Sequence, residues 1–421
     1  MDNYTADTYE VKREIMNFSK KMARGLSKPT QKFIADMMYG MHRSGSGLLS
    51  DIARKLNEPT KLSNIIDRLS TNLLELTERE RQQLWANYRK EVKEEISDEP
   101  VFLFDDTDIA KPYGKAFEDL DKIRDGSDPN KKIVSGYNVC ECVVLSEKEK
   151  QPLSIYSEIY SSKSPDFKSQ NTYTLESIKE ARKLADGKKM TCVLDRFYDS
   201  NQIIEELDKE DCTFIIRLKE NRTFWFKNSV KAVGTVARER KGKIKMTLLF
   251  DDNEEHDVYI SHTRVSLPNN KREYLLVIVY GLSEEKPLLL LTNQQIGAKE
   301  DIISVVRHYF YRWRVEEYFR VKKQEYGFEK MRVRKLKAIN NLNLLNTMVL
   351  GHIGQIAESL DVKLLGIKIL VRGKPLRSRV LFWHYQLAKG IREILAYAKT
   401  GINKLQRIEV RSSVIQLRLN L

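Results

Sequence analysis

Residues 101–109 have the sequence VFLFDDTDI, in which an apolar run with high β propensity leads into the acidic pair Asp105 and Asp106. Residues 190–200, MTCVLDRFYDS, repeat the arrangement with Asp195 directly after the apolar run TCVL. Short apolar runs of this kind predict buried strands. Because ligands of open α/β sheets bind beyond the ends of strands, we expect these carboxylates to lie where a sheet opens to solvent.

The segments around these two runs predict the rest of the sheet. Between residues 101 and 219 the patterns indicate three strands, a helix, a strand, a helix and a further strand. Residues 218–297 contain several more strand-like runs separated by turn signals such as Lys-Gly, Asp-Asn and Pro-Asn-Asn. Residues 1–96 and 351–421 have mostly helical periodicity. The sequence therefore predicts an α/β protein with a helical N-terminal region and a β-rich segment.

A third acidic group lies in residues 308–324, HYFYRWRVEEYFRVKKQ, which contain neither Gly nor Pro and are predicted to form one continuous helix. At about 100° per residue, Tyr309, Arg312, Glu316 and Lys323 lie within about 60° of one another. A carboxylate beside two cations suits a site for a divalent metal and nucleic-acid phosphates, since phosphate binds both. Three carboxylates from two strands and a helix are the oxygen ligands that Mg²⁺ or Mn²⁺ prefers.

The composition favours a polyanionic partner. The formal net charge is +14 at pH 7, which makes nucleic acid the first candidate. The four cysteines all fall in apolar runs without CxxC spacing, so we expect reduced, mostly buried thiols. The six histidines show no zinc-site spacing. No run is apolar and long enough to cross a bilayer, and these features together predict a cytoplasmic protein.

Taken together, the motifs give the chain a family resemblance. It resembles the DDE transposases of bacterial insertion sequences, in the group whose Glu lies in a Tyr-x2-Arg-x3-Glu-x6-Lys signature. Tyr309, Arg312, Glu316 and Lys323 match that signature without a gap. Residues 105–109 match the family pattern Asp-x-Thr-x-aliphatic, and residues 195–199 match Asp-Arg-x-x-Asp. The resemblance covers residues 30 to 350, and it leaves Asp106 and Asp108 open as alternatives to Asp105.

The resemblance implies a fold and a domain organisation. The catalytic domain would be a ribonuclease H-like mixed sheet flanked by helices, formed by residues 97–217 and 298–350. A β-rich domain would be inserted at residues 218–297. Residues 1–96 would form an all-α DNA-binding domain, and residues 351–421 a helical C-terminal region.

The resemblance also implies an activity. Two Mg²⁺ ions, with Mn²⁺ able to substitute, would be held by Asp105, Asp195 and Glu316, with Asp105 bridging. The enzyme would cleave double-stranded DNA at the terminal repeats and transfer the freed 3′-OH into target DNA. It would act as a homodimer on DNA, in the bacterial cytoplasm at the nucleoid, without a membrane. The alternatives are a catalytically silent DNA-binding regulator and a ribonuclease H-like nuclease without strand transfer.

Further residues are candidates for DNA contact. In the family, Tyr309, Arg312 and Lys323 grip the transposon end; the alternative for both cations is a helical ion pair with Glu316. Residues 45–74 are compatible with a helix-turn-helix, and the alternative is a helical bundle that only packs on the catalytic domain. Within that helix-turn-helix, Lys61 and Arg68 would be candidate groove contacts. The remaining candidates, each of which could instead belong to a solvated face, are Arg217, Lys219, Arg332 and Arg334.

Overall fold

The N-terminal region is helical. The structure is a computed structural model that describes residues 3–402, apart from 127, 129, 131, 210–211, 250–254, 269–271, 284–285 and 374–381. Part of the predicted C-terminal region, residues 374–381 and 403–421, therefore lies outside the described residues. The first helices are α1 (Asn3–Met22), α2 (Lys28–Ser44), α3 (Leu49–Lys55), α4 (Leu62–Glu75) and α5 (Glu78–Lys93). A capping box of Thr77 and Glu80 fixes the start of α5.

The first half of the sheet follows the order expected from the sequence, with one additional short strand. Its elements are β1 (Val101–Ala110), β2 (Asp121–Arg124), β3 (Ile133–Leu145), β4 (Pro152–Tyr160), α6 (Gln170–Ala185), β5 (Met190–Leu194), α7 (Asn201–Asp208) and β6 (Cys212–Arg217). A 3₁₀ turn at Arg196–Tyr198 follows β5. The additional strand is β2, which pairs with the first residues of β3.

The strands of residues 218–297 continue the same sheet. They are β7 (Thr223–Phe226), β8 (Ser229–Ala232), β9 (Ile244–Leu249), β10 (Glu255–Ser266), β11 (Glu273–Tyr280) and β12 (Leu288–Thr292), with α8 (Val233–Arg238) between β8 and β9. β12 pairs with β6 in antiparallel fashion. Among the described residues the result is a twelve-stranded mixed sheet in the order β2-β3-β1-β5-β6-β12-β11-β10-β7-β8, with β4 on β3 and β9 on β10. The protein is thus a mixed α/β protein.

Two of the predicted site acids lie at the point where β5 ends. β1 and β5 are parallel, and their last paired residues are Phe104 and Leu194. Asp105 and Asp195 are each the next residue along the chain. β1 itself continues to Ala110, paired with β3, so its acidic pair lies within the strand and not at its end. The opening in the sheet is created by the end of β5 alone.

The prediction of one continuous helix over residues 308–324 is wrong. The chain forms α9 (Lys299–Phe310), a turn at residues 311–312, α10 (Trp313–Arg320) and a π turn at Val321–Glu325. At the break, the amide of Arg312 bonds to the carbonyl of Tyr309 at 3.0 Å, three residues back instead of four. Such 3₁₀ bonding tightens the backbone, and helical periodicity alone does not reveal it.

The last helices pack against the first ones. They are α11 (Leu336–Glu358), α12 (Leu364–Gly373) and α13 (His384–Ala396), preceded by a 3₁₀ turn at Phe328–Lys330. Lys12 in α1 donates to the carbonyl of Thr400 at 2.7 Å. His352 in α11 and His42 in α2 form a buried hydrogen bond of 3.0 Å. No helix among the described residues is long and apolar enough to span a bilayer. All four cysteines are buried and unbridged, as predicted.

Acidification is expected to destabilise the fold through His352. Burial, together with the charge of Lys363, lowers the pKa of His352 to about 3. A histidine with a lowered folded pKa binds protons in the unfolded state first, so its stabilising contribution is complete above about pH 6.5 and is lost as the pH falls towards 3. We expect unfolding free energy to fall by about 1.4 kcal/mol per pH unit below 6.5 from this group.

Thermal unfolding between pH 7.5 and 5 measures this dependence. His352→Gln should reduce the slope of the melting temperature against pH. Equal slopes in the wild type and His352→Gln would contradict the expectation.

Candidate active site

Arg312 joins two of the three predicted acids. Its Nη1 lies 2.9 Å from Oδ2 of Asp105 in β1, and its Nη2 lies 2.5 Å from Oε1 of Glu316 in α10. Arg312 stands directly before α10, so Glu316 one turn later falls within reach of the same guanidinium. The helical ion pair considered for Arg312 is therefore present, and the same side chain also connects α10 to the sheet.

The third acid, Asp195, is held from two other elements. The hydroxyl of Tyr309, at the end of α9, donates to Oδ1 of Asp195 at 3.5 Å. Nη1 of Arg217, the last residue of β6, lies 3.9 Å from the same oxygen. The Asp105 side chain is 15% exposed, that of Asp195 28% and that of Glu316 49%. The three carboxylates thus lie in a site that deepens from the helix towards the sheet.

The electrostatics of Asp105 reflect this crowding. Burial raises the pKa of Asp105 to about 7; Arg312 opposes the rise, while Asp195, Asp106 and Glu316 add to it. One guanidinium therefore does not balance the negative charge gathered here. An additional positive charge nearby would therefore stabilise the ionised carboxylate of Asp105.

A divalent cation fits the donor chemistry of the site but not its present arrangement. Among the described residues, no three His, Cys, Asp or Glu side chains form a ready metal-binding group. In this arrangement the Arg312 guanidinium bonds to both Asp105 and Glu316. Carboxylate oxygens are the ligands that Mg²⁺ and Mn²⁺ prefer; burial, followed by the charges of Asp195, Asp106 and Glu316, raises the pKa of Asp105. Asp105, Asp195 and Glu316 could hold a metal once Arg312 releases Asp105 and Glu316.

The other two aspartates of β1 have different surroundings. Asp106 accepts hydrogen bonds from the hydroxyls of Tyr198 at 2.6 Å and Tyr160 at 3.1 Å, and also from Gln170. Burial raises the pKa of Asp106. Asp108 accepts from the amide of Gly126 at 3.2 Å. Of the three, Asp105 is the aspartate that contacts Arg312.

Lys323 is separated from the other signature residues. The π turn places its Nζ 3.6 Å from Oδ2 of Asp108 and 3.3 Å from Oε1 of Glu329. The expected single face of four residues is therefore divided, because the helix breaks at residues 311–312 and changes its pitch after Arg320. Tyr309 and Arg312 contact the sheet acids, and Glu316 pairs with Arg312. Lys323 contacts the distal part of β1.

A cleft of about 930 Å³ opens beside the acids. Its cationic lining consists of Arg196, Arg217, Lys219, Lys286 and Arg312, and its aromatic lining of Tyr309, Phe310 and Trp313. Cations interleaved with aromatic rings suit a nucleic-acid strand, because the cations can bind its phosphates and the rings can stack on its bases.

Four of these cleft residues were not among the candidates from the sequence: Arg196, Lys286, Phe310 and Trp313. Arg196 follows Asp195 directly and could have been chosen on that ground. Phe310 lies inside the quoted signature stretch. Lys286 has no local signal, because it reaches the cleft only through the pairing of β12 with β6.

The match to known families completes this description. Residues 96–351, more than half of the chain, match the family model described as the transposase DDE domain. The chain belongs to that family. A search of curated proteins found none that matches. Membership implies transposase activity in general, and with it DNA binding, and members of the family generally use divalent metals such as Mg²⁺.

The remaining DNA-binding candidates of this transposase lie outside the cleft. Lys61 is exposed directly before α4. Arg68 in α4 forms two hydrogen bonds with the carboxylate of Glu58, at 2.7 and 2.8 Å. Arg332 and Arg334 are exposed after the 3₁₀ turn. Arg68 could therefore contact a phosphate only by giving up Glu58, whereas the other three already face solvent.

Proposed function

We propose that this transposase cleaves double-stranded DNA at transposon ends and transfers the freed 3′-OH into target DNA, using two Mg²⁺ ions, for which Mn²⁺ can substitute. The observation that supports this most is that Arg312 joins Asp105 and Glu316 at the edge of a basic cleft, while the pairing of β1 with β5 places Asp195 beside Asp105. When bound, the metal ions would activate the attacking oxygen and stabilise the leaving oxygen. The ribonuclease H-like character of residues 97–217 and 298–350 belongs to the same proposal, as does the β-rich insertion at residues 218–297.

The protein's own residues prepare the site. Asp105 and Asp195 are fixed by the parallel pairing of β1 and β5, which ends directly before them. Glu316 is brought to them by α10. Tyr309 orients Asp195 through its hydroxyl. Asp105, Asp195 and Glu316 would hold the two ions.

DNA would enter along the basic cleft. A phosphate placed there competes with Asp105 and Glu316 for Arg312, because a guanidinium binds carboxylate and phosphate with the same two-pronged geometry. Release of Arg312 to the phosphate would free both acids for metal. Arg217 and Lys219 would follow the same backbone, and Lys323, Arg332 and Arg334 would continue the contact beyond β1. We also propose that two protomers assemble on a pair of transposon ends.

Arg312→Ala is expected to weaken binding of transposon-end duplexes about tenfold to a hundredfold, since hydrogen bonds to charged groups contribute about 1.5–3 kcal/mol. The affinity of Arg312→Lys for the duplex should lie between those of Arg312→Ala and the wild type, because lysine keeps the positive charge but cannot form the paired hydrogen bonds of a guanidinium. Lys299→Ala removes one exposed cation from the first turn of α9 and should bind almost normally. Fluorescence anisotropy at fixed salt measures all four proteins. Wild-type affinity in Arg312→Ala would contradict the phosphate role.

The N-terminal helices supply a second, separable contact. If α3 and α4 dock on DNA as a helix-turn-helix, Lys61→Ala should weaken binding at low salt and reduce the slope of log affinity against log salt by about 0.9. Arg68→Ala should mainly lower stability, by up to about 1 kcal/mol, since its pair with Glu58 is partly exposed. Salt titrations and thermal melts of both variants measure these effects. An unchanged salt slope in Lys61→Ala would count against α4 as a DNA contact.

A joining assay tests the proposed activity as a whole. The wild type is incubated with Mg²⁺, a pre-cleaved transposon-end duplex carrying a free 3′-OH, and a target plasmid. Strand transfer predicts a covalent product of end and plasmid. Cleavage of intact ends without any joined product would identify a nuclease without strand transfer, and end binding with neither reaction would identify a DNA-binding regulator.

A further inference from the structure

A second ion pair ties the catalytic helix segment to the sheet, below the site and out of reach of solvent. The Glu141 side chain is completely buried, and Nζ of Lys322 lies 3.2 Å from its Oε2. Glu141 also accepts hydrogen bonds from the hydroxyls of Ser157 at 2.7 Å and Ser154. Lys322 donates to Ser157 as well, at 3.2 Å. Each charge in this cluster therefore has both an opposite charge and neutral partners.

This buried pair is the direct neighbour of the site. In the antiparallel pairing of β1 and β3, Asp105 stands opposite Glu141. Side chains of opposed residues point to the same face of a sheet, with Cβ atoms about 4.5–5.5 Å apart. Two carboxylates so placed repel each other unless each has a cation. Asp105 takes Arg312, from just before α10, and Glu141 takes Lys322, from just after it.

The ion pairs at the two ends of α10 differ in whether other ligands can compete with them. Arg312 borders the cleft, where metal and phosphate would compete for its partners. Lys322 and Glu141 are sealed inside, their side chains 6% and 0% exposed. A buried charge is strongly destabilised when its partner is removed, so this pair persists when Arg312 leaves. It fixes how α10 sits on the sheet in both states.

The π turn directs the neighbouring residues Lys322 and Lys323 to different partners. Through the wide turn at Val321–Glu325, Lys322 points to the sheet while the adjacent Lys323 reaches Asp108 and Glu329. π turns are rare overall, but those that occur frequently lie at functional sites. Here the turn allows Lys322 to form a buried ion pair while the next residue, Lys323, places its charge beside the site.

We propose that Glu141 and Lys322 are positioning residues, which hold Glu316 opposite Asp105 and Asp195 after Arg312 has been released. The proposal rests on the proposed function, since it assumes that the three acids bind metal. Neither residue touches metal or DNA. Their effect reaches the site through the position of α10, and it should therefore appear as weaker metal binding in a protein that is correctly folded.

A double variant separates positioning from stability. Lys322→Met or Glu141→Gln alone disrupts the buried pair, and each should lower the melting temperature. Combined, they leave no charge in the cluster while the amide keeps its bonds to Ser154 and Ser157, so most of the melting temperature should return. Mn²⁺ affinity, measured by electron paramagnetic resonance on the complex with an end duplex and corrected for Mn²⁺ bound by the duplex alone, should still be at least tenfold weaker than in the wild-type complex. Lys322→Arg, which keeps the charge pair, should bind Mn²⁺ more tightly than the double variant.

The possible results are distinguishable. A double variant that melts, binds Mn²⁺ and cleaves like the wild type would show that the pair is structural only and would overturn the proposal. If the double variant fails to fold, Glu141→Gln alone, which preserves volume, decides: wild-type Mn²⁺ affinity overturns the proposal and a tenfold loss supports it. A wild type that neither binds Mn²⁺ nor cleaves end duplexes would refute the proposed function and this inference with it.

Discussion

Asp105→Asn is expected to lower metal-dependent cleavage of transposon ends by about a thousandfold or more. Metal ions contribute several kcal/mol of charge stabilisation to such reactions, and about 4 kcal/mol corresponds to a thousandfold in rate. Asp105 is the least exposed of the three acids, with its side chain 15% exposed, so no neighbouring carboxylate can replace it. The amide keeps the volume of the carboxyl group, and the fold and DNA binding should therefore persist.

The matched control is the next residue. Asp106→Asn changes an equally buried carboxyl group that is bonded to Tyr198, Tyr160 and Gln170. It should cost about 1–3 kcal/mol of stability, because a buried bond to a charged group is altered, while cleavage at low temperature stays within tenfold of the wild type. A dead Asp106→Asn beside an active Asp105→Asn would move the first metal ligand to Asp106. Rates from end-labelled duplexes and melting temperatures of both variants decide this.

Glu316→Gln is expected to reduce cleavage by about a hundredfold or more and to leave binding of end duplexes nearly unchanged. It loses a metal ligand, but the side chain is half-exposed, so water can take up part of its role. Removing its charge also leaves Arg312 paired with Asp105 alone. We therefore expect the apparent Mg²⁺ requirement to rise, and a titration of the cleavage rate with Mg²⁺ measures this.

Glu317 provides the control for Glu316. It lies one residue further along α10 and is buried, accepting from the hydroxyl of Tyr385 at 3.0 Å and pairing with Arg320. Glu317→Gln should lower stability modestly and keep the Mg²⁺ requirement of the wild type. Equal loss of cleavage in both variants would mean that α10, and not the Glu316 carboxylate, carries the effect.

Much of the sheet could be predicted from local patterns. The runs before Asp105 and Asp195 are short, apolar and β-prone, and both became neighbouring parallel strands with their acids side by side. Parallel strands buried on both faces give continuous apolar runs, which is why these strands were visible in the sequence. The spacing of the signature likewise placed Arg312 and Glu316 one turn apart, and they do form a pair.

What local patterns missed depends on contacts between distant segments. The break before α10 and the π turn after it are not encoded by Gly or Pro; they accompany the anchoring of Arg312 to β1 and of Lys322 to β3. Lys323 consequently contacts Asp108 and Glu329 and not Glu316. The joining of residues 218–297 to the sheet requires the pairing of β12 with β6, which no single segment reveals.

The most direct measurement is cleavage by the wild-type protein of end-labelled duplexes from the termini of its element, with Mg²⁺ and with the metal chelated. The account predicts nicking at the transposon end with Mg²⁺, none after chelation, and none above background with Asp105→Asn under the same conditions. Nicking that persists without metal, or that Asp105→Asn retains at the wild-type rate, would contradict a metal-dependent site built from Asp105, Asp195 and Glu316.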